Sequence, residues 1–208
     1  MYVKGLVPED RRRWVPELQT LMTGIAFGES PRWHDNRLWF SDWGAQEIIA
    51  VDLEGKSEVI VRIPSFPFCI DWLPDGRLLI VSARDRLLLR RESDGSLVTH
   101  TDLSSLSNQR VWAELGSGAP DGICLDAEGA VWYGDVPNKR CVRVREGGEV
   151  LQTIDLDRSC FACMLGGVDR RTLFLVAREW PGPAGMDDET RTGQLLTAPA
   201  PAPGAGWP

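Results

Sequence analysis

The stretch Gly122-Ile123-Cys124-Leu125-Asp126-Ala127-Glu128-Gly129-Ala130-Val131-Trp132-Tyr133-Gly134-Asp135 (residues 122–135) decides the fold. It opens with an apolar segment at 122–125, passes through a Glu-Gly turn, and closes with a β-rich run at 131–135. Glycine in such a turn supplies the backbone freedom that a tight hairpin needs. The pattern predicts two antiparallel strands joined by a short turn.

The same arrangement recurs along the chain. Runs equivalent to 131–135 occur at Leu38–Asp42, Leu78–Ser82 and Leu173–Ala177. The four runs begin at residues 38, 78, 131 and 173, which are intervals of 40, 53 and 42 residues. Each is followed by a further predicted strand: Ile48–Asp52, Leu87–Arg91, Cys141–Arg145 and Gly193–Thr197. Each unit also has an apolar strand before the turn, such as 122–125, and an outer strand, such as Glu149–Leu156. A unit of about forty residues therefore has four short strands. This is the pattern of a β-propeller blade, so we predict an all-β propeller with about four blade-equivalents.

The two ends of the chain predict how the ring closes. Glu17–Leu21 resembles the outer strand at Val150–Ile154, and the last unit has no outer strand of its own. We therefore expect the N-terminal strand to complete the last blade and remove exposed edges. The predicted organisation is a leader at 1–16, one propeller domain at 17–197 and a Pro/Ala/Gly-rich tail at 198–208, extended or disordered.

The long middle interval indicates that part of the repeat array is missing. Val98–Leu103 and Val111–Leu115 each resemble the last strand of a unit, and the residues between them are too few for another unit. The sequence therefore predicts an internal deletion with its junction near 103–111.

Composition excludes several classes of protein. A net charge of −7 and a pI near 4.9 disfavour binding to nucleic acid or to an anionic membrane surface. No apolar stretch approaches the ~20 residues of a membrane span. Arg11-Arg12-Arg13 is short for a binding patch, and no signal peptide is visible, so the cytoplasm is the expected location.

The five cysteines favour packing over redox or metal chemistry. Cys69, Cys124 and Cys163 are predicted to share one repeat position, which Ser30 occupies in the first unit. Cys160 and Cys163 have the spacing of a redox pair, but a strand follows them where such a pair needs a helix N-terminus. The two histidines, His34 and His100, disfavour a His-dependent catalytic triad.

Two acidic residues are the candidate site. Glu29 and Asp121 both lie where the chain enters an innermost strand, and the motif alignment places them two residues apart with side chains on the same side. Carboxylates that converge at a propeller channel would suit a hard divalent cation. The alternative is a local turn contact, because Asp before Gly is common in turns.

Gly28–Trp33, Leu38–Asp42 and Pro120–Trp132 together resemble the SMP-30/gluconolactonase/LRE-like family, which includes the regucalcin-like proteins. The resemblance runs from about Leu18 to the C-terminus, with a gap. It implies a six-bladed propeller that hydrolyses sugar lactones with one divalent metal ion, Ca²⁺, Zn²⁺, Mn²⁺ or Mg²⁺. Glu29 then matches a metal-binding glutamate, and Asp121 matches a metal-binding aspartate that is also the candidate general base.

The chain departs from this family in two motifs. The family has an Asn-Asp-Gly type motif near the substrate and a Pro-Asn-Gly motif that supplies a third metal ligand, and neither occurs here. Asn36, Asn108 and Asn138 are predicted to lie in or near outer turns or the rim. Three alternatives follow: a lactonase with impaired activity, a non-catalytic calcium-binding or partner-binding propeller, and a deleted form that relies on oligomerisation to cover its blade edges.

Overall fold

The computed structural model describes residues 16–73, 75–83, 87–99, 113–183 and 190–206. Within them the chain forms sixteen β-strands. In chain order these are β1 (Gln19–Ile25), β2 (Gly28–His34), β3 (Arg37–Asp42), β4 (Glu47–Val51), β5 (Ser57–Arg62), β6 (Phe68–Trp72), β7 (Leu78–Ser82), β8 (Leu87–Arg91), β9 (Leu97–Thr99), β10 (Pro120–Leu125), β11 (Val131–Asp135), β12 (Arg140–Val144), β13 (Val150–Asp155), β14 (Ser159–Gly166), β15 (Thr172–Arg178) and β16 (Gly193–Pro199).

The strands form four antiparallel sheets of four strands each, the blades of a propeller. Blade 1 is β2–β5, blade 2 is β6–β9, and blade 3 is β10–β13. Blade 4 has the order β1-β16-β15-β14, so the N-terminal strand supplies its outer edge. The predicted all-β propeller class and the predicted closure of the last blade are both confirmed.

The blades pack in the spatial order 2, 1, 4, 3. Innermost strand β2 packs against β6 of blade 2 and β14 of blade 4, and β14 also packs against β10 and β11 of blade 3. Between blades 2 and 3 the described strands have no comparable contact. Val81 on blade 2 and Ile123 on blade 3 are accordingly 46% and 59% exposed. The predicted deletion junction near 103–111 lies in the part of the chain between blades 2 and 3, and it is outside the described residues.

One predicted feature near blade 3 differs from the structure. Residues 113–115 were expected in an outer strand, but β13 already occupies the outer edge of blade 3. Ala113 and Leu115 instead pack against a small core of Tyr133, Val142 and Val144. The segment therefore covers one face of the blade and does not extend its sheet.

The C-terminal segment is extended and docks on the propeller. The backbone N–H of Ala127 donates to the Pro203 carbonyl at 2.8 Å, and that of Ala205 donates to the Leu125 carbonyl at 3.0 Å. Gly204 N–H donates to the Arg170 carbonyl of blade 4. This segment thus ties blades 3 and 4 together. Among the described residues no helix is long and apolar enough to cross a membrane.

Candidate metal and substrate site at the propeller channel

Glu29 is held in a fixed place by close packing of the strand that carries it. A Cβ at Gly28 would lie 2.5 Å from Cγ1 of Val176, so the absence of a side chain lets β2 approach blade 4. Ser30 has a φ of 51°, in the left-handed region, and the register of β2 shifts between Glu29 and Arg32. Such bulges re-aim side chains next to active sites. Here the bulge directly follows Glu29, whose carboxylate accepts a hydrogen bond from Ser30 N–H at 3.2 Å.

Ser30 also connects blades 1 and 2. Its hydroxyl accepts a hydrogen bond from Ile70 N–H at 3.0 Å and donates to the Ile70 carbonyl at 3.4 Å. The sequence interpretation treated Ser30 only as a small residue at a close-packed position. Its two hydrogen bonds to the neighbouring blade hold the bulge that presents Glu29.

Asp121 is placed by a second close approach, between blades 3 and 4. A Cβ at Gly122 would lie 2.5 Å from Cβ of Ala162, and a Cβ at Gly134 would lie 2.7 Å from the Cys160 carbonyl oxygen. Because no side chain intervenes at either position, β10 and β11 sit directly on β14. This contact fixes how far Asp121 reaches toward the channel.

Strand pairing shows that Glu29 and Asp121 occupy equivalent positions in their blades. Glu29 follows Gly28, which pairs with Asp42, the last residue of β3. In the same way Asp121 follows Pro120, which pairs with Asp135, the last residue of β11. The expected offset of two residues between them is therefore wrong. Both inner strands contain a register shift of the same size, between Glu29 and Arg32 in β2 and between Pro120 and Ile123 in β10. The offset arose because the motif alignment matched Ser30 with Cys124, whereas the pairing with Trp39 and Trp132 matches Arg32 with Cys124.

Two buried aspartates brace the loops that lead into these strands. The Asp42 carboxylate, 1% exposed, accepts hydrogen bonds from the N–H groups of Ala26 at 3.0 Å and Phe27 at 2.8 Å. In blade 3 the Asp135 carboxylate accepts from Ala119 N–H at 3.1 Å and from the Arg140 side chain at 2.8 Å. Sequence reasoning gave these aspartates no role, although their recurrence at the end of a β-rich run was a usable signal.

Asn138 lies close to the site and not in an outer turn as expected. Its side-chain amide donates to both carboxylate oxygens of Asp135 at 2.9 Å and to the Ser117 carbonyl at 3.2 Å. The turn that contains it joins β11 to β12 at the end where Asp121 enters its strand. Asn138 therefore supports the loop over the channel. Asn108 lies outside the described residues, and Asn36 lies in the β2–β3 turn at the opposite end.

Glu29 and Asp121 face one cavity of about 730 Å³ and interact electrostatically. Burial, followed by the negative charge of Asp121, raises the pKa of Glu29 from 4.5 to about 8, against a smaller lowering by the Ser30 N–H. Partial burial also raises the pKa of Asp121. A buried carboxyl whose ionisation is disfavoured by a second acid at the same cavity would be stabilised in its charged form by a cation.

The two carboxylates of Glu29 and Asp121 are suitable ligands for a hard cation, but they are only two. Carboxylate oxygens are the ligands that Ca²⁺, Mg²⁺ and Mn²⁺ prefer. Within the described ranges, however, no group of three or more His, Cys, Asp or Glu side chains could hold a metal ion. The chain therefore offers two carboxylates from two blades. The third ligand that the family resemblance implies belongs to a Pro-Asn-Gly motif, which does not occur in this sequence.

The aromatic residues of the cavity were not identified from the sequence. Phe27, Trp43, Phe161 and Trp180 line it beside the two acids. They come from three separate loops and one strand, at sequence positions with no common pattern. No local signal could have grouped them.

The cysteines divide into two environments. Cys124 and Cys163 are buried, and their sulfur atoms lie 3.8 Å apart between blades 3 and 4. Cys69 is exposed. Cys69 pairs with Val81, Cys124 with Trp132 and Cys163 with Leu175, which stand at different places in their strands, so the expectation that the three share one repeat position is wrong. Cys69 lies near Glu29, whose charge adds to the effect of burial in raising the pKa of the Cys69 thiol. All five cysteines are free thiols, and Cys160 and Cys163 form no disulfide.

Comparison with known proteins gives consistent relatives. The family model described as SMP-30/Gluconolactonase/LRE-like region matches residues 27–105 and 92–179. Regucalcin from Xenopus laevis is 32% identical over 93 residues, which are 42% of this chain and 29% of that protein. The matched part thus spans less than a third of this relative.

Two solved structures share the fold. A calcium-binding protein, regucalcin, from Agrobacterium tumefaciens superposes with a TM-score of 0.65 at 12% identity, covering 91% of this chain and 95% of that chain. A gluconolactonase from Xanthomonas campestris superposes with a TM-score of 0.57 at 15% identity, covering 89% and 90%. At these identities the similarity establishes the fold alone.

Proposed function

Because the chain belongs to the SMP-30/gluconolactonase/LRE-like family, we propose that it is a hydrolase of lactones that depends on one divalent cation. Glu29 and Asp121 would hold the cation, and Asp121 would also act as the general base. The alternative in which the chain binds a cation or a partner without catalysis is an outcome of the experiment below.

One observation carries this proposal. Glu29 is 8% exposed, and the charge of an acid from another blade helps to raise its pKa to about 8. An ionised carboxylate buried beside a second carboxylate costs stability unless a positive charge accompanies it. The paired acids at a cavity are therefore explained by a cationic ligand better than by a turn contact.

The different exposure of Asp121 and Glu29 suggests different roles for the two side chains. Asp121 is the more exposed acid, so it ionises first and can reach a water molecule in the cavity. Asp121 would accept a proton from that water as the water attacks the lactone carbonyl carbon, and would return the proton to the ring oxygen when the ring C–O bond breaks. A bound divalent cation would supply Lewis-acid stabilisation of the carbonyl oxygen. Glu29, enclosed by β2 and its bulge, would keep a fixed position.

The small donor set predicts weakened binding and activity relative to intact members of the family. Two carboxylates without the third ligand leave more of the coordination shell to water. We expect millimolar rather than micromolar cation affinity, a loss of about 4 kcal/mol in binding free energy. This is the sense in which the proposed lactonase is impaired.

The test measures cation binding and turnover separately. Thermal unfolding is followed with and without Ca²⁺, Mg²⁺, Mn²⁺ and Zn²⁺ in the parent, Glu29→Gln, Asp121→Asn and the control Glu54→Gln, which alters an exposed carboxylate in a distant turn. A cation at 100 times its Kd should stabilise the parent and the control by about 2.7 kcal/mol, and neither site variant. Lactone hydrolysis is then measured under the same conditions.

The outcomes separate the alternatives. Stabilisation with turnover that both site variants lose supports the proposed function. Stabilisation without turnover on any lactone identifies a cation-binding propeller with no hydrolase activity. Equal hydrolysis by the parent and both site variants would rule out the assigned roles of Glu29 and Asp121.

A further inference from the structure

One wall of the cavity that contains Glu29 and Asp121 is made of aromatic rings. We call Phe27, Trp43, Phe161 and Trp180 the aromatic wall. The centroid of the Phe27 ring lies 5.3 Å from that of Trp43, 5.0 Å from that of Phe161 and 5.9 Å from that of Trp180. The Phe161 and Trp180 rings are 5.4 Å apart. The four rings therefore form one continuous apolar surface.

The wall is built into the fold. Phe27 and Phe161 are buried at its base, whereas Trp43 and Trp180 are half-buried and reach the cavity. Trp43 is anchored because its indole N–H donates a hydrogen bond to the Phe68 carbonyl of blade 2. Phe27 is fixed by its backbone N–H bond to Asp42. Rings held in this way are preformed for a ligand and lose little conformational entropy when one binds.

The rest of the described lining has few groups that could bind hydroxyls. Apart from the two acids, its polar side-chain groups are those of Lys139 and Ser159 and the indole N–H groups of the tryptophans, of which that of Trp43 already donates to the Phe68 carbonyl. A sugar lactone presents several hydroxyl groups, and each that is buried without a partner weakens binding. If Glu29 and Asp121 hold a cation, they are not free to bind the sugar hydroxyls. A lactone with an apolar substituent matches this surface better than a polyhydroxylated one.

An aromatic wall beside carboxylates could also bind an organic cation, and Arg178 argues against this. Its guanidinium carbon lies 4.7 Å from the centroid of the Phe27 ring and 5.8 Å from that of Trp180. The side chain is buried, so the guanidinium is a fixed part of the wall. It already lies over the Phe27 ring, so that ring face is not available to a second cation. A neutral group can pack on Trp43 and Trp180 without that face.

We propose that the aromatic wall selects a neutral lactone or ester that carries an aryl or extended alkyl group. The wall takes this group while the carbonyl faces Glu29 and Asp121. This inference rests on the proposed lactonase function for the reaction, but the binding preference itself does not require turnover.

The test compares two six-membered lactones, one fused to a benzene ring and one polyhydroxylated, glucono-δ-lactone. The specificity constant kcat/KM is measured for both with the parent, Trp180→Ala and Trp180→Phe. Binding is measured independently by ligand-observed NMR with 2-tetralone, a ketone in which a methylene replaces the ring oxygen of the benzo-fused lactone. Far-UV circular dichroism and urea unfolding verify that each variant is folded.

The expected result is a preference for the aryl ligand that depends on the ring at position 180. Trp180→Ala should weaken 2-tetralone binding about tenfold and lower kcat/KM for the aryl lactone by a similar factor, while Trp180→Phe retains most of both. If Trp180→Ala fails to fold, Trp180→Phe and Trp180→Leu are compared instead, because phenylalanine keeps an aromatic ring at position 180 and leucine does not.

Each other outcome is decisive. Saturable binding of 2-tetralone that needs the ring, with no hydrolysis of either lactone, would support the wall as a binding site and reject the lactonase. A higher kcat/KM for glucono-δ-lactone, binding unaffected by Trp180→Ala, or tighter binding of tetramethylammonium than of 2-tetralone would overturn the proposal. So would the absence of any 2-tetralone binding.

Discussion

Replacing Glu29 by glutamine should stabilise the metal-free protein at high pH. Burial and the charge of Asp121 raise the pKa of Glu29 from 4.5 to about 8, so the fold favours the protonated carboxyl group. Its stabilising contribution is complete below pH 4.5, falls as the pH rises toward 8, and is constant above that. At about 1.4 kcal/mol for each pH unit, the total loss is roughly 5 kcal/mol. Glutamine resembles the protonated acid at every pH.

The measurement is urea unfolding in EDTA from pH 5 to pH 9. The free energy of unfolding of the parent is subtracted from that of Glu29→Gln at each pH, which cancels the groups common to both proteins. The difference should be small at pH 5 and grow to several kcal/mol in favour of Glu29→Gln by pH 9. The control Glu54→Gln removes an exposed carboxylate and should give a nearly flat difference.

Parallel stability curves for the parent and Glu29→Gln would refute this reasoning, because they would mean that the Glu29 carboxyl titrates alike in the folded and unfolded states. The variant Asp121→Asn separates the two causes. It should reduce the pH-dependent loss only in part, since burial raises the pKa of Glu29 more than the charge of Asp121 does.

Three further predictions follow from the same geometry. Cation affinity should rise by up to about tenfold per pH unit below pH 8, because cation binding displaces the proton of Glu29. Calorimetry in two buffers would show the release of this proton. A Kd that does not change with pH would contradict the prediction. Gly122→Ala should destabilise the fold by about 1–3 kcal/mol and weaken cation binding, because the new Cβ would lie 2.5 Å from the Cβ of Ala162. If the variant has the urea midpoint and the cation affinity of the parent, this close contact is disproved. Asp42→Ala should lower the free energy of unfolding by about 3 kcal/mol, because buried backbone N–H groups lose their acceptor, and a change below about 1 kcal/mol would argue against that role.

The repeat architecture could be read from the chain because its signals are local. Apolar alternation at Leu38–Asp42 and 131–135 and the turns before them specify strands whichever blade they join. The resemblance between residues 17–21 and 150–154 was sufficient to predict that β1 closes blade 4. Glu29 and Asp121 were also identifiable, because each lies at the start of an innermost strand.

The arrangement of the site was decided by contacts between blades. Glu29 and Asp121 are equivalent in register, and this equivalence is visible only in the strand pairing, because the motif alignment matched Ser30 with Cys124 where the pairing matches Arg32 with Cys124. The distance between blades depends on close approaches such as that of Gly122 to Ala162. The spatial order 2, 1, 4, 3 is likewise a property of how the blades pack against one another.

The aromatic wall shows the difference most clearly. Phe27 and Trp180 are more than 150 positions apart, yet their rings lie 5.9 Å from each other with Arg178 against both. Sequence by itself determined the strands, the blade repeat and the two acids, because backbone geometry and side-chain alternation act over a few residues. Only the tertiary structure decided the pKa of Glu29 and the apolar character of the cavity, because desolvation and ring packing depend on neighbours that the fold brings together.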